Sequence, residues 1–171
     1  MKIKHLILVA LLMSPFLSYA QQTDKWEKWK PLIGNWSGEG SGLSGEGTGT
    51  FSFNLDLNQN ILIRKSNYHY VIDKTNIIFD DIMIIYLVDG TPSKAVFFNN
   101  DGFSRNYLIS YSDKSITLIS EKIPQTPIFK LTYTFIDDST VGLKFEIARD
   151  GLNFIVYSEE VGKRQRSTSE R

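Results

Sequence analysis

The sequence predicts a mainly β protein: an antiparallel meander of about ten strands, closed into a barrel, with one short N-terminal helix. Three observations predict it. After Trp36 the apolar residues recur at period two, most cleanly over residues 48–57, where polar and apolar side chains alternate without error. The alternating runs are separated by short turn signals, among them Asp89-Gly90 and Asp101-Gly102, in which Gly accepts the positive φ that hairpins need. Connections this short cannot make parallel crossovers, and closing the meander removes its two exposed edges.

The elements follow in order. Residues 1–20 read as a signal peptide: Lys2 and Lys4 precede an apolar run over 6–17, and Ser18-Tyr19-Ala20 offers a small-x-small cleavage site. The expectation is export, to the periplasm or beyond, with cleavage near Ala20. Residues 21–33 carry the helix, capped by Thr23 or Asp24, with Trp26, Trp29 and Ile33 on one face and Pro31 keeping it short. The barrel domain occupies residues 34–162. Its strands begin at Trp36 and continue over 48–57, 61–71, 78–88, 94–99, 103–111, 115–122, 128–136, 141–149 and 153–161. Residues 163–171 form a basic tail with no apolar residue, expected to be frayed.

Composition narrows the function classes. Without Lys2 and Lys4 the chain keeps 17 basic and 19 acidic residues, a net charge of −2, which makes no electrostatic case for nucleic acid. There are no cysteines, so an exported domain must be stabilised by packing alone. Thiolate nucleophiles, Cys-ligated zinc and iron–sulfur clusters are excluded with them. His69 is the one histidine after residue 20, which removes His-pair metal sites and leaves it a weak candidate ligand between Tyr68 and Tyr70. Adjacent acids such as Asp80-Asp81 and Glu159-Glu160 point to opposite faces of a strand, so they read as turn and rim solvation rather than an acid–base pair. No nucleophile–base arrangement supports an enzyme. Gly40-Ser41-Gly42-Leu43-Ser44-Gly45 matches G-x-G-x-x-G literally, but a strand pattern follows where a nucleotide site needs a helix. Those glycines are expected to serve a flexible first hairpin at the barrel mouth. Charges over both strand registers (Arg64, Lys65, Arg105, Lys130, Lys144) argue against a membrane-embedded barrel.

Gly34-x-Trp36-x-Gly38-x-Gly40, just after a short helix, resembles the opening motif of nitrobindin-type barrels and of calycins generally, such as lipocalins and fatty-acid-binding proteins. Leu62-Ile63-Arg64, the segments over 81–86, 97–102 and 129–133, and Lys144-Phe145-Glu146-Ile147-Ala148 resemble a family of bacterial secreted calycin-like domains. The resemblance covers most of the chain after residue 20. It implies a barrel plugged by Trp36, with a basic side chain of the last strand (Arg164 here) stacked on that ring. Nitrobindins hold haem through a His on the C-terminal strands. This chain has no His after His69, so haem is not carried over and no cofactor is expected.

The resemblance and the residues together point to a small hydrophobic or amphiphilic ligand. Arg64 shares a register with Ser66, Tyr68 and Tyr70, and Arg105 shares one with Tyr107 and Tyr111. Either guanidinium could anchor a carboxylate inside the barrel, with Tyr68, Tyr86, Tyr107 and Tyr133 as further polar contacts. The alternative for either arginine is an exterior position, or an ion pair with Glu146 or Asp81 that serves packing. Phe51, Phe53, Leu55, Leu131, Tyr133, Phe135, Leu143, Phe145 and Ile147 would line the interior. Aromatics at this density could equally fill it, giving a cavity-free interaction barrel.

Overall fold

The computed structural model describes residues 24–42, 45–72 and 74–166. The expected leader, its cleavage site and the last five tail residues lie outside the described residues. Ten strands pair only with their chain neighbours and close into one antiparallel barrel in which β1 meets β10. They are β1 (Gly34–Gly42), β2 (Gly45–Asp56), β3 (Ile61–Ile72), β4 (Thr75–Val88), β5 (Thr91–Asn99), β6 (Ser104–Tyr111), β7 (Ser115–Ser120), β8 (Ile128–Asp137), β9 (Thr140–Ala148) and β10 (Ile155–Arg164). The predicted meander barrel is the fold. Its hairpins use the expected chemistry: Asp89 and Gly90 both take positive φ, at 51° and 77°.

Two boundaries differ from the sequence reading. The N-terminal helix is a six-residue 3-10 helix, Glu27–Leu32, with Pro31 inside it. Its tighter winding buries Leu32 fully, alongside Trp26 and Trp29, while Ile33 packs half-buried against the same core. At the other end β10 runs on through Lys163 and Arg164, because β1 offers Ser37 and Trp36 as strand partners there. The tail therefore starts later than residue 163.

The 3-10 helix closes one end of the barrel. Trp26 donates its indole N–H to the Gln59 carbonyl (2.7 Å), Trp29 to the Tyr111 hydroxyl (2.8 Å) and Trp36 to the Leu32 carbonyl (2.8 Å). Tyr111 passes its own proton to the Pro92 carbonyl. Each indole thus buries its apolar area without orphaning its polar atom. Phe51 stacks parallel on Trp36 and Phe53 packs edge-on against Tyr133, so the aromatic core sits at this end. The opposite end carries the β5–β6 and β9–β10 turns, and among the described residues no helix covers it.

Candidate functional site

Above the plugged end the barrel encloses a cavity of about 580 Å³. The volume falls within the range of small-molecule sites. Its walls are mostly apolar and aromatic, with Met83, Phe97, Phe129, Leu131, Leu143 and Phe145 among them. Leu131, Leu143, Phe145 and Ile147 line it as the alternation suggested. Phe51, Phe53 and Tyr133 lie deeper, in the closed-end core, and Leu55 and Phe135 pack against that core. The interior is filled at one end and open at the other.

Glycines decide the shape of one wall. The inward positions of β1 and β2 hold Gly38, Gly40, Gly47 and Gly49 where other strands hold large side chains. A Cβ on Gly38 would lie 2.9 Å from the Tyr68 hydroxyl, and one on Gly40 would lie 2.3 Å from Glu160 Cγ. One on Gly47 would lie 2.4 Å from the Tyr70 ring. Tyr68, Tyr70 and Glu160 therefore lie flat across this bare wall. These glycines permit a close approach of chain to chain, and the tip of the first hairpin, residues 43–44, lies outside the described residues.

Arg64 is buried, on the inward register of β3, and Asp81 faces it from β4. Its Nη1 donates to Asp81 Oδ1 at 2.6 Å, and the Ser66 hydroxyl donates to Asp81 Oδ2. Burial works against both charges. On Arg64 the Asp81 carboxylate more than offsets it and keeps the guanidinium firmly protonated. On Asp81 burial prevails, raising its pKa while Arg64 and Ser66 pull it back. The ion-pair alternative for Arg64 is the one the structure adopts, with Asp81 rather than Glu146 as partner. Glu146 instead pairs with Lys130 on the outer face, at 2.8 Å.

Arg105 is also buried on an inward register, but its guanidinium packs over Phe103 (5.1 Å) and Phe129 (5.4 Å). Its Nη1 reaches Thr126 Oγ1 at 3.3 Å, and its Nε has no partner. Tyr68 and Tyr107 line the cavity, and Tyr133 is fully buried beside it. Burial pushes all three phenols well above their ordinary pKa, so they are neutral hydrogen-bonding groups. The Tyr68 and Tyr133 hydroxyls have no partner among the described residues.

Two candidates stand elsewhere. Tyr86 pairs across the sheet with Ile61 and Lys94, on the outward register, so it does not face the cavity. His69 is exposed on the outer face, its Nε2 3.1 Å from Asn67 Oδ1. Among the described residues no group of three metal-ligating side chains converges.

Tyr70 lines the cavity on the Arg64 register, but sequence reasoning missed Phe103, Asp101 and Tyr157 in the lining, and above all Glu160, which it placed on the rim. The Tyr70 hydroxyl donates to Glu160 Oε1 at 3.3 Å. The available signal was the period-two run of glycines, which marks a wall that neighbouring side chains must cover.

No family model matches the sequence, and no curated protein matches it. Solved structures do. Rv2717c from M. tuberculosis superimposes with a TM-score of 0.61 at 16% identity, over 83% of this chain and 98% of that one. The S-type phycobiliprotein lyase CPES from Guillardia theta superimposes with a TM-score of 0.52 at 8% identity, over 82% of this chain and 92% of its own. At such identities the likeness is one of fold: a calycin-type barrel.

Proposed function

We propose that this calycin-like barrel binds a small, mainly hydrophobic or amphiphilic molecule in its interior, and does so after export. The cavity carries the reading. An aromatic-walled space of about 580 Å³, closed at one end by three tryptophans, with the buried Tyr68 hydroxyl lacking a partner, is built like a ligand pocket rather than a packed core. An unpartnered buried hydroxyl is costly, and a ligand's polar atom would satisfy it.

Export is supported by the Lys2/Lys4 start, the apolar run and the cleavage signal before Gln21. A barrel surrounded by water, rather than lipid, is supported by the ion pairs Lys130–Glu146 (2.8 Å) and Lys144–Glu159 (3.1 Å), which lie mid-strand on the outer face. Among the described residues no helix is long and apolar enough to cross a membrane.

A carboxylate head group draws less support than the register of Arg64 and Arg105 led us to expect. Asp81 already occupies Arg64, and Arg105 is held among Phe rings outside the lining.

Mass spectrometry tests the reading. The protein, expressed with its leader and purified from the periplasm without detergent, is weighed under native and denaturing conditions. A mass excess that vanishes on denaturation, on a chain beginning at Gln21, is expected. A bare chain under native conditions, even after incubation with lipid extract, would remove the ligand-binding proposal, and a retained leader would remove export.

A further inference from the structure

The cavity lining holds Arg64, Asp81, Glu160 and the exposed Asp101, with Arg105 buried beside it over the Phe103 and Phe129 rings. Asp81 and Arg64 neutralise each other at 2.6 Å. Glu160 is left inside the barrel with no cation paired to it among the described residues, its contact being the Tyr70 hydroxyl at 3.3 Å. Its carboxylate thus offers acceptor oxygens to a cation that enters the cavity.

Its surroundings suit a cation. The Tyr68 and Tyr70 rings stack with centroids 5.9 Å apart, and Tyr157 packs edge-on against Phe145. Ring faces attract positive charge, and more strongly where water is excluded. The Tyr68 hydroxyl, buried and unpartnered on the same glycine-lined wall, is free to accept a hydrogen bond. The glycines at positions 38, 40, 47 and 49 make this arrangement possible, since a Cβ at any of them would collide with Tyr68, Tyr70 or Glu160.

We infer that the polar end of the ligand is cationic, a protonated amine on an apolar body, and that Glu160 is its counterion. This rests on the barrel being a small-molecule binder. The amine's N–H groups donate to the Glu160 carboxylate and the Tyr68 hydroxyl, while its apolar body lies among Phe129, Leu131, Leu143 and Phe145.

Isothermal titration calorimetry with three ligands of one chain length tests it: decylamine, decanol and decanoate at neutral pH. In the wild-type protein decylamine is expected to bind roughly tenfold more tightly than decanol, and decanoate more weakly than either. Glu160→Gln, close to isosteric, is expected to abolish the amine's advantage over decanol, with a thermal melt like that of the wild type showing that the variant is folded. Decylamine binding no better than decanol in the wild type, or an advantage that survives Glu160→Gln, would overturn the inference and leave the barrel a binder of neutral or acidic molecules. Failure of all three to bind would overturn the inference as well, while the small-molecule reading itself stands or falls on the native mass measurement.

Discussion

The guanidinium of Arg164 lies over the Trp36 ring, 4.3 Å from its centroid, and joins three parts of the chain at the closed end of the barrel. Its Nη1 donates to the Ile33 carbonyl at 2.7 Å, its Nη2 to the Pro31 carbonyl and its Nε to the Asp138 carbonyl at 3.1 Å. The last strand is thereby fastened to the 3-10 helix and to the β8–β9 turn. Arg164→Ala is expected to lower unfolding free energy by about 2–3 kcal/mol, the scale of charge-assisted hydrogen bonds plus a cation–π contact. Arg164→Lys should recover less than half, because an ammonium lacks the planar fork that reaches all three carbonyls. Urea denaturation of the three proteins decides it; equal midpoints for wild type and Arg164→Lys would show that charge alone suffices.

The Arg64–Asp81 pair gives a second prediction. Removing one partner leaves a buried charge uncompensated, so Asp81→Ala should cost about 3–5 kcal/mol. The double variant Arg64→Met/Asp81→Leu should lose less than half as much, since neither charge then remains buried. Denaturant titration of single and double variants measures the coupling. If the double variant is as unstable as Asp81→Ala, the pair contributes through its geometry rather than through charge balance.

The glycine wall gives a third. A Cβ at position 49 would stand 2.3 Å from the Asn67 carbonyl oxygen and 2.6 Å from the Tyr68 ring, so backbone must move. Gly49→Ala is expected to destabilise by about 1–3 kcal/mol, as overpacking does. At Gly142 the nearest atom to such a Cβ is 3.7 Å away, and Gly142→Ala should change stability by no more than about 0.5 kcal/mol. Thermal melts of the two variants provide the comparison, and similar melting temperatures would contradict it.

Asp150 gives a prediction in pH. In the β9–β10 turn its carboxylate accepts from the Asn153 and Leu152 backbone N–H groups, at 2.8 and 2.9 Å, and from the Asn153 side chain at 2.7 Å. These bonds, the Asn153 backbone bond foremost, lower its pKa from 3.8 to about 2. A lowered carboxyl pKa stabilises the fold fully above the ordinary value, and that contribution is lost as pH falls from 3.8 through about 2. Carboxyl NMR should show Asp150 titrating near 2, and Asp150→Asn should remove this part of the acid dependence of stability. A midpoint near 3.8 would mean that the turn does not hold the carboxylate in solution.

Much of the barrel was legible in the chain because strand pattern and hairpin chemistry are local. The run expected over 61–71 is β3, Ile61–Ile72, and Asp89-Gly90 turns as its residue types require. Which aromatic residues fill the barrel and which line a space was not legible. Phe51 and Phe145 share the same alternation, but one packs beneath Trp36 and the other faces the cavity, because period two says which side a residue faces and not its height along the barrel. The partner of Arg64 was visible only as one of two acids, since choosing Asp81 over Glu146 depends on which strands are neighbours.

By itself, then, the sequence determined the strands, their turns and the closed meander, all consequences of short-range periodicity and adjacent pairing, while the Trp36–Arg164 contact was expected only from the resemblance to calycin-type barrels. Only the tertiary structure decided that Arg64 is neutralised, that Tyr86 faces outward and that Glu160 lies inside against a wall of glycines. Those outcomes depend on which residues of distant strands stand opposite one another once the barrel closes, and charge, burial and free space exist only in that arrangement.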